Sequence, residues 1–230
     1  VLTGGYALNC VANYWYLEQL KDEGINLYVE PVSNDAGTAL GAALLWHHYH
    51  NKDCRQRERI DNLYFGPQYN YTNEYITDMV DSYDAEVKDA THADVVKLVT
   101  DKNIVALFQG RSEAGPSALG SRSIFMSPTR AENKDILNKR VKHRDHWRPF
   151  AGTILEDRVG EYFLEAYTSP YMLYSQHSTT DELPAITHED RTCRIQTVNQ
   201  DQNPRVHDLL TRLDPPVILN TSFNDNGEPI

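Results

Sequence analysis

The chain has 230 residues, 40% hydrophobic and 24% charged, and its 22 Lys and Arg face 33 Asp and Glu for a formal charge of −11. Such a composition suits a globular protein, and the negative charge repels the phosphate backbone of nucleic acid, so DNA or RNA partners are disfavoured and any local cationic cluster becomes informative. Cys10, Cys54 and Cys193 are scattered, with neither a CxxC pair nor an even disulfide framework, which points to reduced thiols and a cytoplasmic home; no apolar run approaches the roughly 20 residues of a membrane span, and the first residues do not read as a signal peptide.

In chain order, residues 1–2 read as a strand end running into the Gly4-Gly5 turn. Residues 7–20 have apolar side chains at helical spacing and stop near Gly24. Residues 27–32 alternate like a short strand, and Asn34 and Asp35 stand where an N-cap belongs, ahead of the small-residue helix AGTALGAALLWHHYH. Strand, Gly turn and helix in alternation predict an α/β (α+β) architecture. Residues 54–59 form a charged linker, and 64–75 are rich in Tyr and Asn with a turn at Gly66-Pro67. Thr91 caps a predicted helix through residue 102. Residues 104–108 (IVALF) predict a buried strand, followed by a Gly- and Ser-rich loop. Further helices are expected from Thr129 to residue 140, over 158–167 and over 203–213, with strands over 171–175, 194–198 and 217–220. Two domains are expected, 1–59 and 60–230. Both ends read as cut inside a strand or loop, so a fragment is expected.

Chemistry concentrates in a few stretches. In KHRDHWRPF, Lys142, His143, Arg144 and Arg148 fall within seven residues, ahead of a Pro149 that disfavours helix at Arg148. An extended segment would put Lys142, Arg144 and Arg148 on one face, suited to a phosphate or carboxylate; a solvated basic turn past a helix end accounts for the same residues equally well. The loop GRSEAGPSALGSRSI has backbone N–H groups able to cradle an anion, with Arg111, Arg122 and Ser123 as added donors, or it is a plain connection. Asn220, Thr221, Ser222 and Asn224 crowd the exit of an apolar strand, where polar ligands bind in open α/β sheets and where Asx and Ser/Thr turns also form. The Gly4-Gly5 turn allows close approach of a phosphate or nucleoside. Asp35 suits a metal or a helix cap, and His47, His48 and His50 read as surface or packing residues.

In this order, the motifs GG-x-A-x-N, NDAGTALGAA, GR-x-E-x-GP-x-ALG-x-RSI, KHR-x-x-x-RPF, TH-x-D-x-T-x-R-x-Q and LNTSFN-x-x-GEP cover nearly the whole chain. Together they resemble the O-carbamoyltransferases typified by the nodulation-factor, cephalosporin and tobramycin carbamoylating enzymes. The resemblance implies that residues 1–59 are the end of an actin/sugar-kinase-type nucleotide-binding domain. It implies that residues 60–230 are a YrdC-like domain, truncated at its C-terminus, in which carbamoyl phosphate and ATP form carbamoyl-adenylate for transfer to a hydroxyl of a small acceptor. By the same resemblance Lys142, Arg148, Arg194 and Ser222 are the catalytic set. Arg111, Arg122, Ser123, Arg144, Asn220 and Asn224 bind carbamoyl phosphate or ATP; Gly4, Gly5 and Asn9 contact nucleotide in the first domain; and Asp35 is a ligand of a divalent metal of Fe or Mg type. Ser222, Asn224, Gly227 and Pro229 match a YrdC motif, and Thr187 and His188 open the stretch that ends at Arg194. Two positions depart from the pattern: Ser117 stands where the family has Arg, and Arg191 stands where it has Gly, after a retained Asp190. The family's metal-binding histidines are expected to lie outside the chain, so the complete transfer is not expected of it. A non-catalytic nucleotide- or RNA-binding module related to tRNA threonylcarbamoylation is the alternative; an actin-type sugar kinase leaves everything after Phe108 unexplained. The acceptor and the oligomeric state, homodimer included, stay open.

Overall fold

A computed structural model describes residues 1–51, 60–83 and 85–228. The expected linker at 54–59, and with it the expected domain boundary, lies outside the described residues. Six strands, β1 (Val105–Phe108), β2 (Arg122–Met126), β3 (Ala151–Leu155), β4 (Ser175–His177), β5 (Thr192–Val198) and β6 (Val217–Ser222), form one sheet in the order β1-β2-β6-β3-β5-β4. β3 and β5 are parallel and the other neighbours antiparallel, so the expected α/β class is realised as a mixed sheet.

Alternation along the strands splits the core in two. Ile124, Ile154, Ile195 and Leu219 point to one face and pack with Leu137, Leu183 and Ile186. Phe125, Leu155, Val198 and Ile218 point to the other, against Val99, Val206, Leu209 and Leu210. The helices are α1 (Cys10–Leu20), α2 (Asp35–His50), α3 (Asn73–Asp81), α4 (His92–Thr100), α5 (Glu132–Leu137), α6 (Val159–Tyr162) and α7 (Pro204–Thr211); a π turn, Asn138–Lys142, extends α5. α4 starts on a capping box between Thr91 and Asp94. α7 starts at Asn203, whose Oδ1 accepts from Val206 N at 3.2 Å while its Nδ2 donates to the Tyr64 hydroxyl at 3.0 Å.

Several expectations need correction. β2 was expected as loop, because Arg122 and Ser123 mask its apolar run. β1 is not buried: it is the sheet edge, with alternate residues exposed. The strand expected over 27–32 amounts to one parallel bridge, Leu2 with Val29. The strand expected over 171–175 starts at Ser175, after Met172 takes a left-handed φ of 58°. The helix expected over 158–167 is only the short α6, and the one expected from Thr129 begins at Glu132. Asn34 flanks α2 but its side chain makes no capping bond.

The first segment docks on the β4 side of the sheet. Asn13 Nδ2 donates to Ala7 O at 2.7 Å and Leu173 O at 3.0 Å, and the Tyr14 hydroxyl donates to Glu165 at 2.7 Å. No residue of α2 is buried.

The register has one functional consequence. The C-terminal ends of β1 and β6 meet the N-terminal ends of β2, β3 and β5: Phe108 pairs with Arg122, Ser123 with Ser222, Ala151 with Asn220, and Gly152 with Ile195. The Gln109 loop, Arg148-Pro149, Arg194 and the Ser222–Asn224 turn therefore collect at one end of the sheet.

Asn203→Ala removes the α7 cap and the Tyr64 contact together and should cost about 1–2 kcal/mol in a urea unfolding experiment. Asn203→Asp, which keeps the cap oxygen, should recover part of that; equal stability of wild type and Asn203→Ala would contradict the assignment.

Candidate anion-binding site

The KHRDHWRPF stretch is not extended. α5 widens into its π turn, and His143 at φ 45° ends it in the left-handed region. Asn138, buried in that turn, templates the loop: its Oδ1 accepts from Arg144 Nε at 2.7 Å, and its Nδ2 donates to Arg148 O at 3.0 Å and His146 O at 3.3 Å. The cations consequently diverge in role instead of sharing one strand face.

Lys142 turns inward, 5% exposed. Its Nζ donates to Ser222 O at 2.6 Å, Asn224 Oδ1 at 2.8 Å, Asn224 O at 2.9 Å and Ser222 Oγ at 3.2 Å. Burial, with help from Arg144 and against the pull of Asp225, lowers its pKa to about 8. Lys142 is thus a brace between α5 and the exit of β6, and direct contact with a ligand requires exchange of one of these acceptors.

Arg144 lies with its guanidinium 4.6 Å from the Phe150 ring centroid and donates to Pro149 O at 3.2 Å. Its pKa is pushed down by burial and then by Arg148 and Arg194, so both of those guanidinium groups lie near that of Arg144. Among the described residues, the guanidinium groups of Arg148 and Arg194 make no hydrogen bond or ion pair. His188 joins this neighbourhood: its imidazole pKa is lowered chiefly by burial, against Asp190 and with Arg194 and Lys134, and its Nδ1 lies 3.1 Å from Thr192 Oγ1. Arg148 is exposed and Arg194 half-buried, so an anion placed beside Arg144 would meet two further guanidinium groups with free donors.

The Gly- and Ser-rich loop, read either as an anion cradle or as a plain connection, closes part of its own backbone. Three of its N–H groups are occupied from within: Glu113 Oε1 accepts from Leu119 N at 2.7 Å, Ser121 N at 2.8 Å and Arg122 N at 3.3 Å. Arg122 is buried and donates to Gln109 O at 2.6 Å, Ser121 O at 3.0 Å and Gly110 O at 3.2 Å, with its guanidinium carbon 3.6 Å from the Phe108 ring centroid. Ser123 Oγ accepts from Gly120 N. Arg122 and Ser123 therefore hold the loop's shape, and Arg111 donates to Phe65 O at 3.0 Å. Ser117 is half-buried. The Glu within the motif was the available signal for this internal closure.

At the β6 exit, Ser222 and Asn224 belong to the Lys142 brace, and the Ser222 hydroxyl donates to Asn224 Oδ1. Asn220 is buried; its Nδ2 donates to Thr153 Oγ1 at 3.0 Å and Ala118 O at 3.1 Å, tying strands together. Pro229 lies outside the described residues. In the first segment, Gly4 takes φ 76°, Gly5 starts a 3-10 turn, and Asn9 caps α1 by accepting from Ala12 N at 3.0 Å. Asp35 is the exposed first residue of α2. None of these four makes a hydrogen bond to the cationic cluster. No group of three or more His, Cys, Asp or Glu side chains able to hold a metal occurs among the described residues. Nor, among them, is any helix long and apolar enough to cross a membrane.

Fold and site define an α/β protein with uncompensated cations at one end of a mixed sheet. The chain belongs to the carbamoyltransferase family: the model described as Carbamoyltransferase C-terminus matches residues 96–230. It is 37% identical over 246 residues to nodulation protein NolO of Bradyrhizobium diazoefficiens, covering 100% of this chain and 44% of that protein. An uncharacterized protein of Synechocystis is also 37% identical, over 265 residues, 100% of this chain and 42% of its own. The 3'-hydroxymethylcephem-O-carbamoyltransferase of Amycolatopsis lactamdurans is 31% identical over 237 residues, 99% of this chain and 42% of its own. The chain thus spans less than half the length of these relatives. Full-length HypF, in a phosphate- and nucleotide-bound form, aligns over 63% of this chain and 18% of its own, with a TM-score of 0.44 and 20% identity.

Arg122→Lys keeps the charge but loses the fork on three carbonyls; it should cost about 1–3 kcal/mol in chemical denaturation. Phosphate affinity of the folded protein should be unchanged, and a selective loss of that affinity would instead make Arg122 a ligand-binding residue.

Proposed function

We propose that the chain carries the carbamoyl-phosphate-binding part of an ATP-dependent O-carbamoyltransferase. One observation carries the reading: in a chain of net charge −11, Arg148 and Arg194 each lie near the Arg144 guanidinium, and neither of their own guanidinium groups makes a hydrogen bond or ion pair among the described residues. Paired guanidinium donors suit a phosphate. In this reading residues 60–230 are the YrdC-like unit and residues 1–59 the end of the actin-type domain; the six strands and the cationic cluster all fall in the former.

The reaction follows from charge. Hydrolysis of carbamoyl phosphate releases phosphate and leaves carbamate. A carbamate oxygen attacks the α-phosphorus of ATP, the bond to the β-phosphate bridge oxygen breaks, and pyrophosphate departs, leaving carbamoyl-adenylate. An acceptor hydroxyl then attacks the carbamoyl carbon, gives up its proton and displaces AMP. Arg148 and Arg194 offset the negative charge gathered in the first two steps, and Lys142 holds the Ser222–Asn224 turn against the same space. No step is assigned to a metal.

Titration calorimetry with carbamoyl phosphate should show at least about tenfold weaker binding for Arg148→Ala and for Arg194→Ala, the loss of a charge-assisted contact. Unchanged affinity in both variants would sink the proposal. Wild-type affinity should also fall as pH rises through about 8, where Lys142 gives up its proton. The stability contribution has the opposite sign: with a folded pKa below that of the unfolded chain, deprotonation of Lys142 favours the folded state between about 8 and the ordinary lysine value. Weaker binding above pH 8 with undiminished stability separates the two effects, and a flat affinity profile across pH 7–9 would contradict the part given to the ammonium.

A further inference from the structure

His188, Asp190, Thr192 and Arg194 stand two apart in the TH-x-D-x-T-x-R stretch, and the first three form a hydrogen-bonded chain. A tight turn holds them. His188 N donates to Thr192 O at 2.8 Å, and Arg191, at a left-handed φ of 67°, donates from its N to His188 O at 3.0 Å. Asp190 Oδ1 accepts from the Thr192 hydroxyl at 2.7 Å and from Thr192 N at 3.0 Å, and Thr192 Oγ1 lies 3.1 Å from His188 Nδ1.

The direction of each bond follows from what the groups can give. A carboxylate only accepts, so the one hydroxyl proton of Thr192 goes to Asp190. Thr192 Oγ1 then accepts from His188, which puts the ring proton on Nδ1. The lone pair of Nε2 is left over, and no hydrogen bond among the described residues takes it up. Thr192 and Arg194, two apart on β5, face the same side of the sheet, so the half-buried imidazole lies near the Arg194 side chain. The charged groups around the ring are Asp190 on its own turn, Arg194 on β5 and Lys134 on α5. Burial first, then the two cations acting against Asp190, lowers the His188 pKa and keeps the ring neutral near pH 7. A neutral imidazole with one nitrogen tied and the other open, close to a guanidinium with free donors, has what a general base requires.

We propose that His188 is the general base that activates water against carbamoyl phosphate, with Thr192 and Asp190 as its positioning residues. The proposal rests on the reading of Arg148 and Arg194 as the carbamoyl-phosphate site. Water gives a proton to His188 Nε2 as its oxygen bonds to the carbamoyl carbon. The bond from that carbon to the bridging phosphate oxygen breaks, and phosphate departs with the proton that His188 hands on. The carbamic acid left behind loses its hydroxyl proton and becomes the carbamate that attacks ATP. Between the two transfers Asp190, acting through Thr192, stabilises the imidazolium.

The test is release of inorganic phosphate from carbamoyl phosphate by the whole chain with ATP present, above the spontaneous rate, beside calorimetric binding of carbamoyl phosphate. His188→Gln should bind carbamoyl phosphate as the wild type does and release phosphate about a hundredfold more slowly. His188→Ala should regain rate when imidazole is added. In the wild type kcat/KM should rise with pH along a limb below the ordinary histidine value and fall again above about 8 with Lys142. His188→Gln should lack the lower limb. Asp190→Asn, at an exposed position, should move it further to acid, because the charge that raises the His188 pKa is gone. Wild-type phosphate release by His188→Gln, or a wild type that binds carbamoyl phosphate without releasing phosphate, would overturn the proposal and leave the reading of Arg148 and Arg194 intact. A slow His188→Gln with the lower limb unmoved, and no answer to imidazole in His188→Ala, would give the turn a structural role and overturn the proposal too. Absence of carbamoyl phosphate binding in the wild type would instead remove the reading of the two arginines, and the base with it.

Discussion

The ammonium of Lys142 is the contact on which the arrangement of the site depends. It joins residues 80 and 82 positions apart in sequence, closing the end of α5 onto the exit of β6 through carbonyl and side-chain oxygens of Ser222 and Asn224. Burial and then Arg144 oppose the charged form, Asp225 favours it, and the pKa is lowered to about 8. Because the brace fixes where the KHRDHWRPF loop begins, it also fixes where Arg144 and Arg148 can go. Asn138 completes the loop from below by holding the Arg144 guanidinium and the Arg148 carbonyl.

Around that brace the chain divides its charges into two kinds. Some are consumed internally: Glu113 closes the N–H groups of its own Gly-rich loop, and Arg122 is surrounded by carbonyls and an aromatic ring. Others, Arg148 and Arg194, lie near Arg144 without a hydrogen bond or ion pair of their own guanidinium groups among the described residues. A buried charge with a full set of partners stabilises a shape, whereas an uncompensated one in a cluster of like sign is stabilised by a ligand. Sequence position alone does not separate the two kinds, since Arg122 and Arg148 both sit in cationic motifs.

Legibility in the sequence followed the range of the interaction. β5, β6 and α7 could be read directly, because the alternating residues 194–198, the apolar run Val217-Ile218-Leu219 and the Asn203-Pro204 start are local signals. β2 was hidden because its first two residues are polar and their partners lie in β1 and in the Gly-rich loop. β4, Ser-Gln-His, has no apolar alternation at all; its place comes from pairing with β5 and from contacts with α1. The cationic cluster was recognisable by composition, but an extended geometry was expected for it, since neither the π turn nor Asn138 announces itself in the residues. The membership in the carbamoyltransferase family, which the motifs suggested, rests on the match over residues 96–230 and on relatives aligned along the whole chain.

The central claim is that the unpaired guanidinium groups of Arg148 and Arg194 form the receiving surface for a phosphate. Crystals of the chain soaked with carbamoyl phosphate test it most directly. The account predicts phosphate density within hydrogen-bonding distance of both guanidinium groups, with the Lys142 brace on Ser222 and Asn224 in place. Density at another site, or both arginines found paired with the chain's own carboxylates while the ligand binds elsewhere, would contradict it.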